Sequence, residues 1–192
     1  MKQALIFMLC AGAASAQIPS DVRARKVIDD AVAALGGDKF LQMQDRVESG
    51  RAYSFYRENL SGLSIAKIYT RYLTVAAAKS GEELGVRERQ AFGKNEDSAV
   101  VFREDGGFNV TYRGTKALPK EDFERYRETT LHNIFYILRQ RLQEPGLTFE
   151  SRGSDVVDYK PVEIVDVIDA ANRMTRVYFH QTTKLPVRQS FS

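Results

Sequence analysis

The sequence predicts an α+β protein: an antiparallel sheet curled into an open half-barrel, with an N-terminal helix and a long mid-chain helix covering its concave face. Three observations carry this prediction. Apolar residues recur at helical spacing in two segments only, one near the start and one in the middle. Almost everywhere else they alternate with polar residues, the period of half-buried strands. The alternating runs are joined by short polar turns, which lets sequence neighbours pair antiparallel.

The first helix is read from Ser20, taken as its N-cap, with Ala24, Val27, Ile28, Ala31, Ala34 and Leu35 on one face. Gly36 and Gly37 supply the stop, and Asp38 is positioned to cap a short second turn, "DKFLQM". From Arg46 the period changes to two. "RVESGRAYSFYREN" and "GLSIAKIYTRYLTV", separated by a turn at Asn59-Leu60-Ser61-Gly62, form one long hairpin. Three further strands are read at Gly85–Lys94, Ser98–Glu104 and Gly107–Gly114, with a tight turn at Asp105-Gly106-Gly107.

The pattern then breaks. Pro119 suits a first helical position, and Glu121 and Asp122 behind it suit the helix dipole. Phe123, Tyr126, Thr130, Ile134 and Ile137 or Leu138 line one face of a helix ending before Pro145-Gly146 and bent near Thr129-Thr130. Its wide apolar stripe predicts that it lies across the sheet. Four strands follow, at Leu147–Tyr159, Pro161–Ala170, Arg173–Gln181 and Leu185–Phe191, with turns at Asp169–Asn172 and Thr182–Lys184. Nine long, twisted strands tend to curl, which gives the half-barrel.

Composition narrows the function classes. The 192 residues are 43% hydrophobic and 28% charged, the proportions of an ordinary globular protein long enough to bury a core. The N-terminus, "MKQALIFMLCAGAASAQ", has a lysine, a short apolar run and Ala14-Ser15-Ala16 before Gln17, the layout of a secretory signal. Residues 1–16 are therefore read as a signal peptide cleaved after Ala16, and 17–192 as a single secreted domain. Loss of Lys2 with the signal leaves 27 Lys and Arg against 25 Asp and Glu, too balanced and too scattered for a nucleic-acid surface. The only cysteine, Cys10, lies inside the signal, so thiol catalysis and cysteine-held metals are excluded from the mature chain.

No constellation of nucleophile, metal ligands or cofactor loop is visible, so the reading is of a protein that is not an enzyme, with no cofactor. His132 and His180 are read as ordinary hydrogen-bonding histidines. Asp155, Asp158, Glu163, Asp166 and Asp169 are read as a solvated acidic face. The aromatics are the informative group. Tyr53, Phe55, Tyr69, Phe102, Phe108, Val110 and Tyr112 on the strands, with Phe123, Ile134, Phe135 and Leu138 on the helix, supply core or the lining of a hydrophobic cavity between sheet and helix.

The layout resembles the outer-membrane lipoprotein carrier and receptor family (LolA/LolB-like). The likeness rests on "AVAALGGDKFLQMQDRVESGRA" near the mature start and on "VDYKPVEIVDVIDAANRMTRVYFHQTTKLPVRQSF" at the end, where Leu185-Pro186 matches the recurrent Leu-Pro of the family. The resemblance implies a periplasmic carrier for a hydrophobic ligand, a lipid or the acyl chain of a lipidated protein, serving outer-membrane biogenesis through an inner- or outer-membrane partner. It implies Arg51 and Arg57 as the candidates for a ligand-gating arginine. Relatives of this type often run past the point where this chain stops, which leaves open that further strands follow Ser192. The alternative is an envelope interaction or sensor module on the same scaffold, with a filled interior.

Overall fold

The computed structural model describes residues 19–76, 79 and 83–191. The segment read as a signal peptide lies outside these residues.

The order is α1 (Ser20–Ala34), α2 (Asp38–Leu41), β1 (Asp45–Tyr56), β2 (Asn59–Tyr72), β3 (Val86–Phe92), β4 (Ser98–Arg103), β5 (Gly106–Thr111), β6 (Gly114–Ala117), α3 (Lys120–His132) and α4 (Ile134–Tyr136). A π-helical turn (Ile137–Arg141) continues α4, followed by β7 (Thr148–Val157), β8 (Lys160–Ile168), β9 (Met174–His180) and β10 (Pro186–Ser190). The α+β class and the antiparallel pairing are as the periodicities predict. The strands do not form one sheet, however. β1 to β6 make a six-stranded meander and β7 to β10 a separate four-stranded one, and neither closes into a barrel.

The helical segment after β6 lies between the two sheets and serves both. Leu131 and Tyr136 pack with Tyr72 and Val86 of the first sheet. Ile134, Ile137 and Leu138 join α1 and the β7–β9 residues Phe149, Val165, Val167, Val177 and Phe179 in the larger core. A wide apolar stripe is what a helix with two faces to bury requires.

That segment is not one bent helix. Thr129 and Thr130 donate back to the carbonyls of Arg125 and Tyr126 at 2.9 and 2.8 Å, which loosens the last turn of α3. The break comes at Asn133, whose ψ of 121° is extended and whose Oδ1 accepts from the amides of Phe135 and Tyr136. Ser20 also differs from its expected role. It is the first helical residue, and its hydroxyl exchanges hydrogen bonds with the backbone of Ser151 on β7.

The first hairpin turns two residues earlier than expected. Arg57 and Glu58, with φ of 49° and 66°, make the tight turn, and Asn59 already belongs to β2. Gly62 is a strand glycine: a Cβ there would stand 2.5 Å from Ser54 Oγ beside the register shift at Ser54/Phe55. The run read as one strand to Gly114 is two, turned at Tyr112-Arg113 and continued as β6.

The acidic residues of β8 are not all solvated. Asp166 is buried between Arg152 and Arg176 at 2.6 and 2.7 Å. Asp169 is buried against Arg141 and Arg173, at 2.7 and 2.6 Å. Arg141 is itself enclosed, donating to the Leu131 carbonyl and to Glu144. This cluster ties the π-helical turn to the β8–β9 turn.

Candidate functional site

Strand register sorts the first sheet into two faces, since directly opposed residues of an antiparallel pair share a face. The face toward α3 carries three rows. Arg46, Thr70, Glu88 and Phe102 stand opposite one another across β1 to β4. The next row is Glu48, Ile68, Gln90 and Val100, and the next is Gly50, Ala66, Phe92 and Ser98.

Under the helices this face forms a half-open cavity of about 220 Å³. Its floor is Arg46, Glu48, Thr70, Tyr72, Glu88 and Gln90, and its roof is Tyr126, Thr129, Thr130, Asn133 and Tyr136. The sheet–helix space expected to be apolar is therefore mixed, with Ile68 and Val86 standing beside these polar groups. Arg46 Nη2 pairs with Glu48 at 2.9 Å, and Gln90 Nε2 donates to Glu88 at 2.7 Å. Burial pushes the Glu88 carboxyl above the usual carboxylate range, against the pull of the Gln90 hydrogen bond. Burial likewise raises Tyr126, Tyr72 and Tyr136.

Beyond the helices the same face continues as an open cleft of about 280 Å³ floored by Gly50, Ala52, Ala66, Ile68 and Phe92. Glu48, Ile68 and Gln90 border both spaces, so they form one groove with a more polar end under the helices and an apolar end beyond them.

The hydrophobic residues singled out in the sequence do not converge there. Phe102 is on the helix-facing side, but its ring is taken by Tyr126, stacked at 3.6 Å. Phe123 lines a separate cleft with Leu73, Val75 and Leu84. Ile134, Phe135 and Leu138 belong to the core against the second sheet. Tyr69, Phe108 and Val110 share rows with Val47, Val101 and Ala99 on the outer face, so their parity turns them from the groove. There the Tyr69 hydroxyl donates to Glu96 at 2.7 Å. Tyr53 and Phe55 are 53% and 66% exposed toward the far end of the hairpin, and Tyr112 is 83% exposed in a turn. Arg51 borders the open end of the groove, while Arg57 sits in the hairpin turn with its guanidinium over the Tyr56 ring at 5.3 Å.

Sequence reasoning missed Arg46, Thr70, Glu88 and Gln90. Their signal was legible only as parity, a polar residue at every second position facing the wrong way for a greasy hollow. His132 Nδ1 lies 2.8 Å from Thr175 Oγ1, and His180 Nδ1 accepts from the amides of Thr182 and Thr183. Among the described residues no group of three or more His, Asp or Glu is arranged to hold a metal ion.

No family model matches the chain, and no curated protein matches it. Among solved structures it is similar to a DUF1329 family protein from Desulfovibrio piger, at a TM-score of 0.51 and 13% identity over 88% of this chain and 72% of that one. MucB aligns at a TM-score of 0.34 and 13% identity over 90% of this chain, which spans about half of MucB (54%). The Pseudomonas aeruginosa MucA/MucB complex aligns at 0.31 and 12% over 88% of this chain and 50% of that one. Scores this low for MucB carry no weight. The likeness to the D. piger protein is one of fold.

Proposed function

We propose that this chain is a periplasmic binding protein that carries a hydrophobic ligand, a lipid or a lipidated protein's acyl chain, in the groove of its six-stranded sheet. The observation that supports this reading is the open half of the groove. Gly50, Ala52, Ala66, Ile68 and Phe92 leave a shallow apolar floor where larger side chains would fill the space. The signal-like N-terminus supports export, and the resemblance of the two terminal segments to the lipoprotein carriers supports the ligand class. Eight methylenes buried at about 0.8 kcal/mol each supply about 6 kcal/mol, a Kd near 20 μM before ordering costs.

The test is mass spectrometry of organic extracts from protein purified out of its native host, with thermal unfolding in the presence of fatty acids. Co-purified lipid and a raised Tm support the carrier. Clean extracts and an unmoved Tm count against it.

A second reading is an interaction module, favoured by a different surface. Tyr53, Phe55, Leu60, Leu63 and Ile65 lie together on the long hairpin, each more than half exposed. An apolar patch of this kind marks an interaction site more often than chance exposure. Site-specific photo-crosslinking from position 63 in living cells distinguishes the readings. A discrete protein adduct supports the module, and none supports the carrier.

A further inference from the structure

Among the described residues, three buried side-chain polar atoms make no hydrogen bond: Arg46 Nε, Thr70 Oγ1 and Tyr126 OH. All three residues line the same cavity. Thr70 lies near Glu88 and Tyr126 near Thr130, but neither pair achieves hydrogen-bond geometry. Buried polar atoms are paired in the great majority of cases, so three strays converging on one space point to a ligand that completes them.

We infer that the row Arg46–Thr70–Glu88, roofed by Tyr126, is a hydrogen-bonding subsite for an uncharged, hydroxyl-bearing group such as a sugar or polyol. The inference rests on the groove reading above and identifies the chemistry of its polar end. Thr70 is only 4% exposed, so bulk solvent does not satisfy its hydroxyl.

The donor and acceptor set selects the class. Arg46 Nε can only donate, so the ligand must accept. Thr70 and Tyr126 hydroxyls can do either, and the Glu88 and Glu48 carboxylates accept. A hydroxyl donates and accepts at one atom and satisfies this mixture from every side. An anion accepts from Arg46 Nε but faces the carboxylates of Glu88 and Glu48; a cation suits those carboxylates but cannot accept from Arg46 Nε. Burial raises the Glu88 carboxyl above its ordinary range; an added anion raises it further, and a neutral hydroxyl does not. At about 220 Å³ the space is smaller than the roughly 300–1,000 Å³ of whole-ligand pockets, so it accommodates one end of a molecule.

The experiment compares one tail with three heads. Octyl β-glucoside, octyl sulfate and octyltrimethylammonium are titrated below their micellar concentrations into the full protein, with methyl β-glucoside as the tailless probe. Octyl glucoside is expected to bind at least 10-fold more tightly than either charged compound. Thr70→Val and Tyr126→Phe, each checked for unchanged circular dichroism, are expected to cut that preference about 3- to 10-fold, the worth of one hydrogen bond, without moving the charged compounds. Methyl glucoside binding alongside octyl glucoside assigns the site to free sugars or polyols. Its failure beside a binding octyl glucoside assigns it to a headgroup. Equal affinity for the three heads, or a preference that both variants leave intact, overturns the subsite while the groove stands. If no octyl compound binds, the groove reading falls with it.

Discussion

Replacing Thr70 with valine tests the cavity without any ligand. Thr70 is 4% exposed, sits near the end of β2 between Arg46 and Glu88, and has a hydroxyl with no hydrogen bond. A buried hydroxyl left unpaired destabilises the fold by about 1–3 kcal/mol. Valine keeps the branched shape and suits a strand. Thr70→Val should therefore stabilise the ligand-free protein by about 1 kcal/mol, a rise of about 2–4 °C in Tm for a chain of this size. Thr175 provides the control. It is 2% exposed, and its Oγ1 is 2.8 Å from His132 Nδ1. The same substitution there breaks a made bond and strands a ring nitrogen, so Thr175→Val should destabilise by about 1–3 kcal/mol. Urea unfolding followed by far-ultraviolet circular dichroism reads both variants, since the chain has no tryptophan. A Thr70→Val protein that loses 1 kcal/mol or more would refute the reasoning, because its hydroxyl must then be bonded within the protein.

Three further outcomes are expected. Arg141→Met leaves Asp169 and Glu144 as buried carboxylates without their central partner, and equilibrium unfolding should show a loss of about 3–5 kcal/mol. Glu96 accepts from Tyr69, Arg89 and Lys67, which hold its carboxyl at about 2. Because this folded-state value is depressed, the stabilisation is present above the ordinary carboxylate range and fades as pH falls from about 4.5 toward 2. Tm measured across that window should fall less steeply for Glu96→Gln than for the parent protein. At Gly85 an added Cβ would stand 2.8 Å from Gln140 Nε2 and 3.0 Å from Val75 Cγ2, in the place where Gln140 holds the Leu73 and Gly85 carbonyls. Gly85→Ala should lower stability by about 1–3 kcal/mol in the same unfolding assay.

Much of the element order was readable because period is a local property. The switch from 3.6 to 2 at Arg46, and back near Pro119, marks real boundaries of α and β structure. Turns were harder. Arg57-Glu58 and Asp158-Tyr159 adopt positive φ without glycine or asparagine, so they left no cue, whereas Gly62 looked like a turn but serves a close approach inside β2. The candidate site was barely legible. Tyr69 and Thr70 are adjacent in sequence, and the aromatic attracted notice, yet parity sends Tyr69 outward and Thr70 into the cavity.

The sequence by itself determined the two helical segments, the antiparallel strands and the alternation that gives each strand two faces. Only the tertiary structure decided that the strands divide into two sheets, that the segment after Pro119 is shared between them, and that the polar side of β1 to β3 turns inward beneath it. The reason is physical. Alternation separates residues into two sets but does not say which set meets the core, and a helix lying between two sheets can cover a polar face of one because its own burial is completed by the other.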